Sequence, residues 1–154
     1  MADREEVTAA LNAPHPPAQN AIDAFVTVEE RIKEEILKSY NHWKKHDEEM
    51  WKHPQLTNVT TQLVSFNVTQ DLVEVRAAQV TYGTIIFGKI RIPSLDDPAG
   101  FVHVRIHIPV GTNHPLYHSI LTDEGNTDEN GNSTGTWKPR AIQPNDKPLE
   151  YFAE

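Results

Sequence analysis

Residues 72–92 read LVEVRAAQVTYGTIIFGKIRI, and this stretch decides the fold. Apolar and β-branched residues dominate both halves of the stretch, which predicts two strands at about residues 72–80 and 84–92. Gly83 lies between the halves, and glycine has the backbone freedom that a tight reversal requires. The stretch is therefore predicted to form a β-hairpin whose turn includes Thr81, Tyr82 and Gly83.

Further strands are predicted on both sides of this hairpin. Residues 101–108 and 116–122 are rich in apolar residues, and each follows a turn signal that contains Pro and Gly. Alternation at about residues 63–68 indicates an additional short strand upstream. The apolar cluster of Leu149, Tyr151 and Phe152 is interpreted as a final strand that returns to the sheet. Together these segments predict an antiparallel meander.

One amphipathic helix is predicted before the strands, at about residues 22–51. Charged residues fill one side of this segment, and apolar residues recur on the other at three- and four-residue steps: Phe25, Val28, Ile32, Ile36, Tyr40 and Trp43. We interpret the apolar stripe as core. The start of the helix stays open, because Asn20 can cap it and Thr27 with Glu30 also forms a capping box.

The remaining segments are interpreted as an arm and a loop. Residues 1–19 combine charges with three prolines, which break helices, so they are predicted to form a flexible N-terminal arm. Residues 20–154 are predicted to form a single domain with a loop-rich insertion at about residues 123–148, where polar residues, Gly and Pro dominate. Trp137 is the exception in this insertion, because an aromatic side chain of that size usually packs against a core.

Composition limits the classes of function. The chain has 154 residues, of which 38% are hydrophobic, and this predicts one domain. Its net charge of -8 argues against binding to nucleic acid or to an anionic membrane, since both need clustered Lys and Arg. The sequence contains no cysteine, no apolar signal segment at its start and no run of membrane-spanning length. These features together favour a cytoplasmic location.

Histidine pairs suggest two alternative functions, metal binding and acid–base catalysis, but the sequence does not show the further residues that either function needs. His103 and His107 lie on one side of a predicted strand, and His42 and His46 lie one helical turn apart, which is a spacing found in metal sites. Neither pair has a visible third ligand, so we expect no metal and no cofactor. A small enzyme that uses His103 or His107 in acid–base catalysis remains open, and it would require a nearby aspartate.

Several motifs resemble one known family. The sequence Gln79-Val80-Thr81-Tyr82-Gly83 resembles the Q-x-V-x-G hairpin of cystatins. Residues 101–106, FVHVRI, are similar to the F-V-H-L-R-V strand of stefins, the type 1 cystatins, and residues 149–152, LEYF, are similar to the end of stefin chains. Residues 113–116, NHPL, add a further similarity after a proline-bearing turn. The resemblance covers about residues 22–122 and the last few residues.

This resemblance implies a fold, an activity and a binding surface. The implied fold is the α+β cystatin fold, in which a curved antiparallel sheet of about four to five strands grips one long helix. The implied activity is reversible competitive inhibition of papain-like cysteine peptidases of the cathepsin type, without catalysis by the chain itself. Two hairpin loops and the N-terminal arm would form a wedge that blocks the active-site cleft. The implied peptidase-binding residues are Gln79, Val80, Thr81, Tyr82, Gly83, Ile108, Pro109, Val110 and Gly111.

A second interpretation keeps the fold and changes the function. The chain could be a non-inhibitory protein-interaction module of the cystatin fold, as a monomer or as a domain-swapped dimer. Val80 and Ile85 flank the tight turn that such a dimer would straighten.

Overall fold

The structure is a computed structural model that describes residues 2–95, 100–123 and 139–153. The chain begins with helices α1 (Ala2–Ala10), α2 (Gln19–Thr27) and α3 (Glu29–Trp43), followed by a 3₁₀ helix at Glu48–Trp51. Two short helices, α4 (Val59–Gln62) and α5 (Val68–Asp71), precede strands β1 (Leu72–Val80), β2 (Gly83–Arg91), β3 (Phe101–Pro109) and β4 (Leu116–Ile120). No helix in the described ranges is long and apolar enough to cross a membrane.

The four strands form one antiparallel sheet in the order β1-β2-β3-β4. Val80 pairs with Gly83, so Thr81 and Tyr82 alone make the turn between β1 and β2. The prediction of an α+β fold with an antiparallel meander is confirmed, and the four predicted strands that follow residue 71 match β1 to β4 within two residues at each end. The sequence pattern succeeded here because runs of β-branched and apolar residues between turn signals favour strands, and β2 and β3 are buried along most of their length.

Helices α2 and α3 cover one side of the sheet, which we call the front face. Phe25 of α2 is fully buried there, together with Ile32 and Ile36 of α3. A Cβ atom at Gly88 of β2 would lie 2.6 Å from the Phe25 ring, so this glycine lets the helix approach the sheet. The interpretation of the apolar helix stripe as core is confirmed.

The prediction of one continuous helix over residues 22–51 is wrong, because this range contains residues of two α-helices and a 3₁₀ helix. The helix is interrupted at Val28, whose φ of -107° and ψ of 9° are not helical, and α3 ends at Trp43. The hydroxyl group of Thr27 donates to the carbonyl of Asp23 at 2.9 Å, an arrangement that bends helices. After α3, the side chain of Asp47 accepts from the amide of Glu49 and starts the 3₁₀ helix. Periodicity missed both breaks because the apolar stripe continues across them.

The predicted strand at residues 63–68 does not form. The segment instead lies between α4 and α5, and the Asn67 side chain accepts from the amide of Thr69 at 3.0 Å to cap α5. Leu63, Phe66 and Val68 are buried in the front core. Their alternation was misread because a short irregular segment can bury nearly alternate residues without strand pairing.

The N-terminal segment differs from the expected flexible arm. Ala2–Ala10 form α1, and Val7 is fully buried on the back face, which is the side of the sheet opposite α2 and α3. After α1, the backbone of Asn12 and His15 pairs with Ala77 and Val75 along the free edge of β1. The prolines lie at positions 14, 16 and 17, after the helix, so they do not interrupt it.

The C-terminal segment covers the rest of the back face without forming the predicted final strand. Leu149 and Phe152 are buried beside Phe87. Arg76 donates to the carbonyl of Leu149 at 2.9 Å, and Arg105 donates to the carbonyl of Phe152 at 3.0 Å. Side chains from the sheet therefore satisfy backbone groups that strand pairing would otherwise satisfy.

Residues near both ends of the predicted loop-rich insertion contact the rest of the fold. Arg140 pairs with Asp123 and Gln143 pairs with Phe101 as isolated bridges, while Ala141 and Ile142 are buried in the front core. Two neighbouring apolar residues were too short a run to indicate this return to the core from the sequence. Residues 124–138, which include Trp137, lie outside the described residues.

Candidate functional site

The sheet brings two turns together at one end. We call residues 79–83 the first tip and residues 108–111 the second tip. Gly83 pairs with Pro109, and the amide of Val110 donates to the carbonyl of Tyr82 at 3.2 Å. The two tips are therefore direct neighbours, as a wedge made of two hairpin loops requires.

The first tip is tight and excludes a side chain at Gly83. The φ of Gly83 is +140°, and a Cβ atom there would lie 2.2 Å from the carbonyl oxygen of Ile108. L-residues rarely adopt this conformation, and the contact leaves no room for one. Glycine at this position therefore allows the first tip to lie directly against the second.

The second tip exposes apolar side chains to solvent. Val110 is 70% exposed and Leu116, at the start of β4, is 52% exposed. Gly111 has a φ of +78° and open space around it. The hydroxyl group of Thr112 donates to the carbonyl of Pro109 at 3.0 Å, which closes the turn. An ordered turn therefore holds an apolar surface in contact with water.

The predicted binding residues differ in accessibility. The exposed ones are Gln79, Thr81, Val110 and Gly111; the partly buried ones are Val80, Tyr82, Ile108 and Pro109; and Gly83 is buried. Val80 and Tyr82 pack against the back-face apolar cluster, and Ile108 packs against the front core. The surface available at the two tips is consequently dominated by Gln79, Thr81 and Val110.

Two residues that the sequence interpretation missed contact the first tip from α1. The Glu6 carboxylate accepts from the Thr81 amide at 3.0 Å and from the Thr81 hydroxyl at 3.2 Å. The Tyr82 hydroxyl donates to the Asp3 carboxylate. Asp3, Glu6 and Val7 share one face of α1 at three- and four-residue spacing, and that spacing was the available signal.

The environment of Tyr82 keeps its hydroxyl protonated. Burial and the hydrogen bond to the Asp3 carboxylate raise the pKa of Tyr82 to about 12. His107, whose Nε2 lies 3.1 Å from the Tyr82 carbonyl, also packs edge-on against the Tyr82 ring. The base of the first tip is thus fixed by both a carboxylate and an imidazole.

Within the part of the chain that the structure describes, the histidine pairs do not assemble a metal-binding arrangement with the groups around them. His103 is completely buried and neither ring nitrogen has a hydrogen-bond partner, while burial and the charges of Lys89 and Lys147 lower its pKa to about 3. The ring centroids of His42 on α3 and His46 in the turn after it lie 4.4 Å apart, with the ring planes tilted by 40°. Among the described residues, no group of three or more His, Asp or Glu side chains could hold a metal ion.

Comparison with known proteins does not identify a relative. No protein-family model, no curated protein and no solved structure matches the chain.

Proposed function

We propose that the protein is a reversible competitive inhibitor of papain-like cysteine peptidases and that its α+β architecture is the cystatin fold. It acts by blocking the cleft and needs neither catalytic residues nor a cofactor. The adjacency of the two tips is the observation that carries this proposal, because Gly83–Pro109 pairing places both hairpin turns at one end of the sheet. The lack of cysteine suits a reducing compartment, and we propose the cytosol as its location.

The shape and chemistry of the tips support this mode of binding. A narrow cleft admits backbone more readily than bulky side chains, and the first tip is a two-residue turn followed by glycine. Val110 and Leu116 supply exposed apolar surface that would leave water on binding. Both turns are held by backbone hydrogen bonds before binding, which reduces the conformational entropy lost in the complex.

The path of the N-terminal chain brings a third segment to the two tips. Asn12 and His15 add an edge ladder to β1, and the chain before them runs toward the first tip, where Glu6 contacts Thr81. Three chain segments therefore meet at one end of the sheet. The third is a helix here, in place of an extended arm.

The decisive experiment is titration of a papain-type enzyme with the purified full-length chain while hydrolysis of a fluorogenic peptide is followed. We expect inhibition that substrate competes away and that dilution reverses. Unchanged hydrolysis at a molar excess of folded protein would refute the proposal.

Val110→Glu is the sharpest variant for locating the interface. Its parent side chain is 70% exposed, so the free protein should keep its thermal midpoint. In the cleft the charge would lose water without gaining a partner, and we expect the inhibition constant to rise at least about 100-fold, which corresponds to about 2.7 kcal/mol. Ser94→Glu is the matched control, because it adds the same charge at an exposed turn at the opposite end of the sheet. Equal inhibition constants for the two variants would remove the second tip from the interface.

A non-inhibitory interaction module is the second candidate function. It is favoured by the contacts that α1 already makes with the amide of Thr81 and the hydroxyl of Tyr82, because these use groups of the first tip within the chain. A folded chain that leaves papain-type enzymes fully active, and that elutes as a dimer in size-exclusion chromatography, would support the domain-swapped form of this candidate.

A further inference from the structure

A single carboxylate on the back face receives an unusual number of donors. The Nη1 and Nη2 atoms of Arg105 donate to the two oxygens of Asp3 at 3.1 and 2.9 Å. The hydroxyl groups of Tyr82 and Tyr151 each donate to one of the same two oxygens. Each carboxylate oxygen therefore accepts from the guanidinium group and from one phenol, which is a charge-assisted arrangement.

The sheet and the C-terminal segment supply all of these donors. Arg105 of β3 is 1% exposed and lies against the rings of Phe87 and Tyr151. Tyr82 belongs to the first tip and Tyr151 to the C-terminal segment. A guanidinium group buried to this degree requires an anion, because an unpaired buried charge is strongly unfavourable. With α1 docked, the donors thus surround one carboxylate of α1, and Arg4 of the same helix covers the ring of Tyr151.

Helix α1 has few other contacts that would hold it on the sheet. It contains nine residues, and isolated helices of that length are marginal in water. Val7 is its one fully buried side chain among those described, whereas Arg4, Glu5, Thr8, Ala9 and Ala10 are exposed. The docking of α1 therefore depends on Val7, on the carboxylates of Asp3 and Glu6, and on the cation–π contact of Arg4, whose guanidinium lies 4.7 Å from the centroid of the Tyr151 ring.

The same helix restrains the first tip. Glu6 binds the amide and hydroxyl of Thr81, and Asp3 binds the hydroxyl of Tyr82. Thr81 and Tyr82 are the whole turn between β1 and β2. If α1 leaves the sheet, both turn residues lose a partner in the same step.

We propose that Arg105, Tyr82 and Tyr151 form an exchangeable carboxylate-binding site, that Asp3 fills it while α1 is docked, and that α1 is a latch on the first tip. The ligand class that can replace Asp3 is a carboxylate, because the guanidinium and the two phenols supply two donors to each of its oxygens. The consequence for peptidase binding rests on the proposed function: an inhibitor whose tip is free in only a fraction of molecules binds more weakly by that fraction. The carboxylate site itself does not depend on inhibition.

Carboxylate rescue of the full-length Asp3→Ala variant tests the site. This variant keeps all three donors and loses the resident ligand. We expect sodium acetate, compared with sodium chloride at the same ionic strength, to raise its thermal midpoint by about 3 °C at ten times the dissociation constant. The parent and the matched control Glu5→Ala, which changes an exposed acid on the same helix, should show no such difference. An equal response to acetate and chloride in Asp3→Ala would overturn the proposal, as would failure of acetate to restore folding if the variant is unfolded without it.

Hydrogen exchange tests the latch in a variant that keeps the ion pair. Tyr151→Phe removes one donor to Asp3 and leaves Arg105 in place. We expect the Leu11 amide, which donates to the Val7 carbonyl at 2.9 Å, to exchange about tenfold faster in this variant, a change that corresponds to about 1.4 kcal/mol. Unchanged exchange would show that the carboxylate site does not hold α1 and would overturn the latch.

Peptidase kinetics separate this proposal from the inhibitor proposal. If the tip is latched, Asp3→Ala should associate with a papain-type enzyme faster than Glu5→Ala does. Rescue by acetate without any inhibition would refute the inhibitor function and keep the carboxylate site. Inhibition with equal association rates for Asp3→Ala and Glu5→Ala would keep the inhibitor function and refute the latch.

Discussion

The two faces of the sheet are buried in different ways although the same strands build both. On the front face, Val104 and Ile106 of β3 lie in an apolar core under α2 and α3. On the back face, the alternate residues His103 and Arg105 are equally buried but polar. Apolar side chains need only exclusion from water, whereas buried polar groups need partners in defined positions. Arg105 takes these partners from the ends of the chain, the carboxylate of Asp3 and the carbonyl of Phe152, whereas His103 is buried without a hydrogen-bond partner.

The largest expected effect comes from opening the front core. Phe25→Ala should lower the free energy of unfolding by about 3–5 kcal/mol, because a buried ring that contacts Gly88 is replaced by a cavity. Urea denaturation measures this change. Val26→Ala, at the next and 45% exposed position, should stay within about 0.5 kcal/mol of the parent. Similar losses for both variants would contradict the assignment of the core face of α2.

The next-largest effect is expected when a polar side chain buried on the back face is replaced by an apolar one. Arg105→Met should lower the free energy of unfolding by about 3 kcal/mol, because the Asp3 carboxylate loses its cationic donor and keeps only the two tyrosine hydroxyls, and the carbonyl of Phe152 loses the donor from Arg105. Arg31→Met is the control, since Arg31 makes an exposed ion pair with Glu35 at 3.0 Å and should cost less than about 1 kcal/mol. A neutral Arg105→Met would mean that this face, like the front, needs only apolar burial.

Acid should destabilise the back face through His103. The pKa of His103 falls from 6.5 to about 3 on folding, so below pH 6.5 the unfolded chain binds a proton that the native chain does not. Stability should therefore fall by about 2 kcal/mol between pH 6.5 and pH 5 and continue to fall toward pH 3. Hydrogen bonds from Arg105 also hold the pKa of Asp3 below its usual value, so the stability that this group contributes is lost as pH falls below about 4.

Thermal midpoints across this pH range measure the effect. His103→Leu should remove the part of the decline that begins near pH 6.5, because no proton can then bind at this position in the unfolded chain. His114→Leu, which changes an exposed histidine near the second tip, is the matched control. If the His103→Leu and parent curves stay parallel, burial of a neutral His103 is not what limits stability in acid.

The smallest effect is expected on the outer surface of α3, which belongs to neither face. Lys38 makes an exposed ion pair with Glu35 at 3.3 Å. Lys38→Ala should change the free energy of unfolding by less than about 0.5 kcal/mol, because water screens such pairs. A loss above about 1 kcal/mol in the same urea assay would indicate that this surface contributes to folding cooperatively with the faces of the sheet.

The four strands of the sheet were predicted correctly from the sequence, because the apolar residues that a buried strand requires recur along each of these segments. Strands β1 to β4 were predicted within two residues, since runs of β-branched and apolar residues bounded by turn signals favour strands. The breaks at Val28 and Trp43 were missed, because the apolar stripe continues across both positions while the backbone leaves the helical conformation. The short helices α4 and α5 were missed for a related reason, since residues 63–68 bury apolar side chains without strand pairing.

The candidate site was predictable in part. The motif around Gly83 and the turn after Ile108 were both identified from the sequence, and the sheet register makes them neighbours. The contacts of Asp3 and Glu6 with the first tip were not predicted, because they join residues about 75 or more positions apart along the chain. Helix α1 was also not predicted, because the prolines of residues 1–19 were taken to exclude a helix, although they all follow α1.

The amino-acid sequence by itself determined the antiparallel meander, the apolar stripe of α2 and α3 and the glycine turn at the first tip. Each of these follows from local periodicity or from a local backbone requirement, so neighbouring residues suffice to specify it. Only the tertiary structure decided how the back face is covered. Asp3, Tyr82, Arg105 and Tyr151 come from four separate segments, and their one shared carboxylate site exists only after the sheet has formed. A buried cation selects its anion by position in space, and no pattern along the chain records that position.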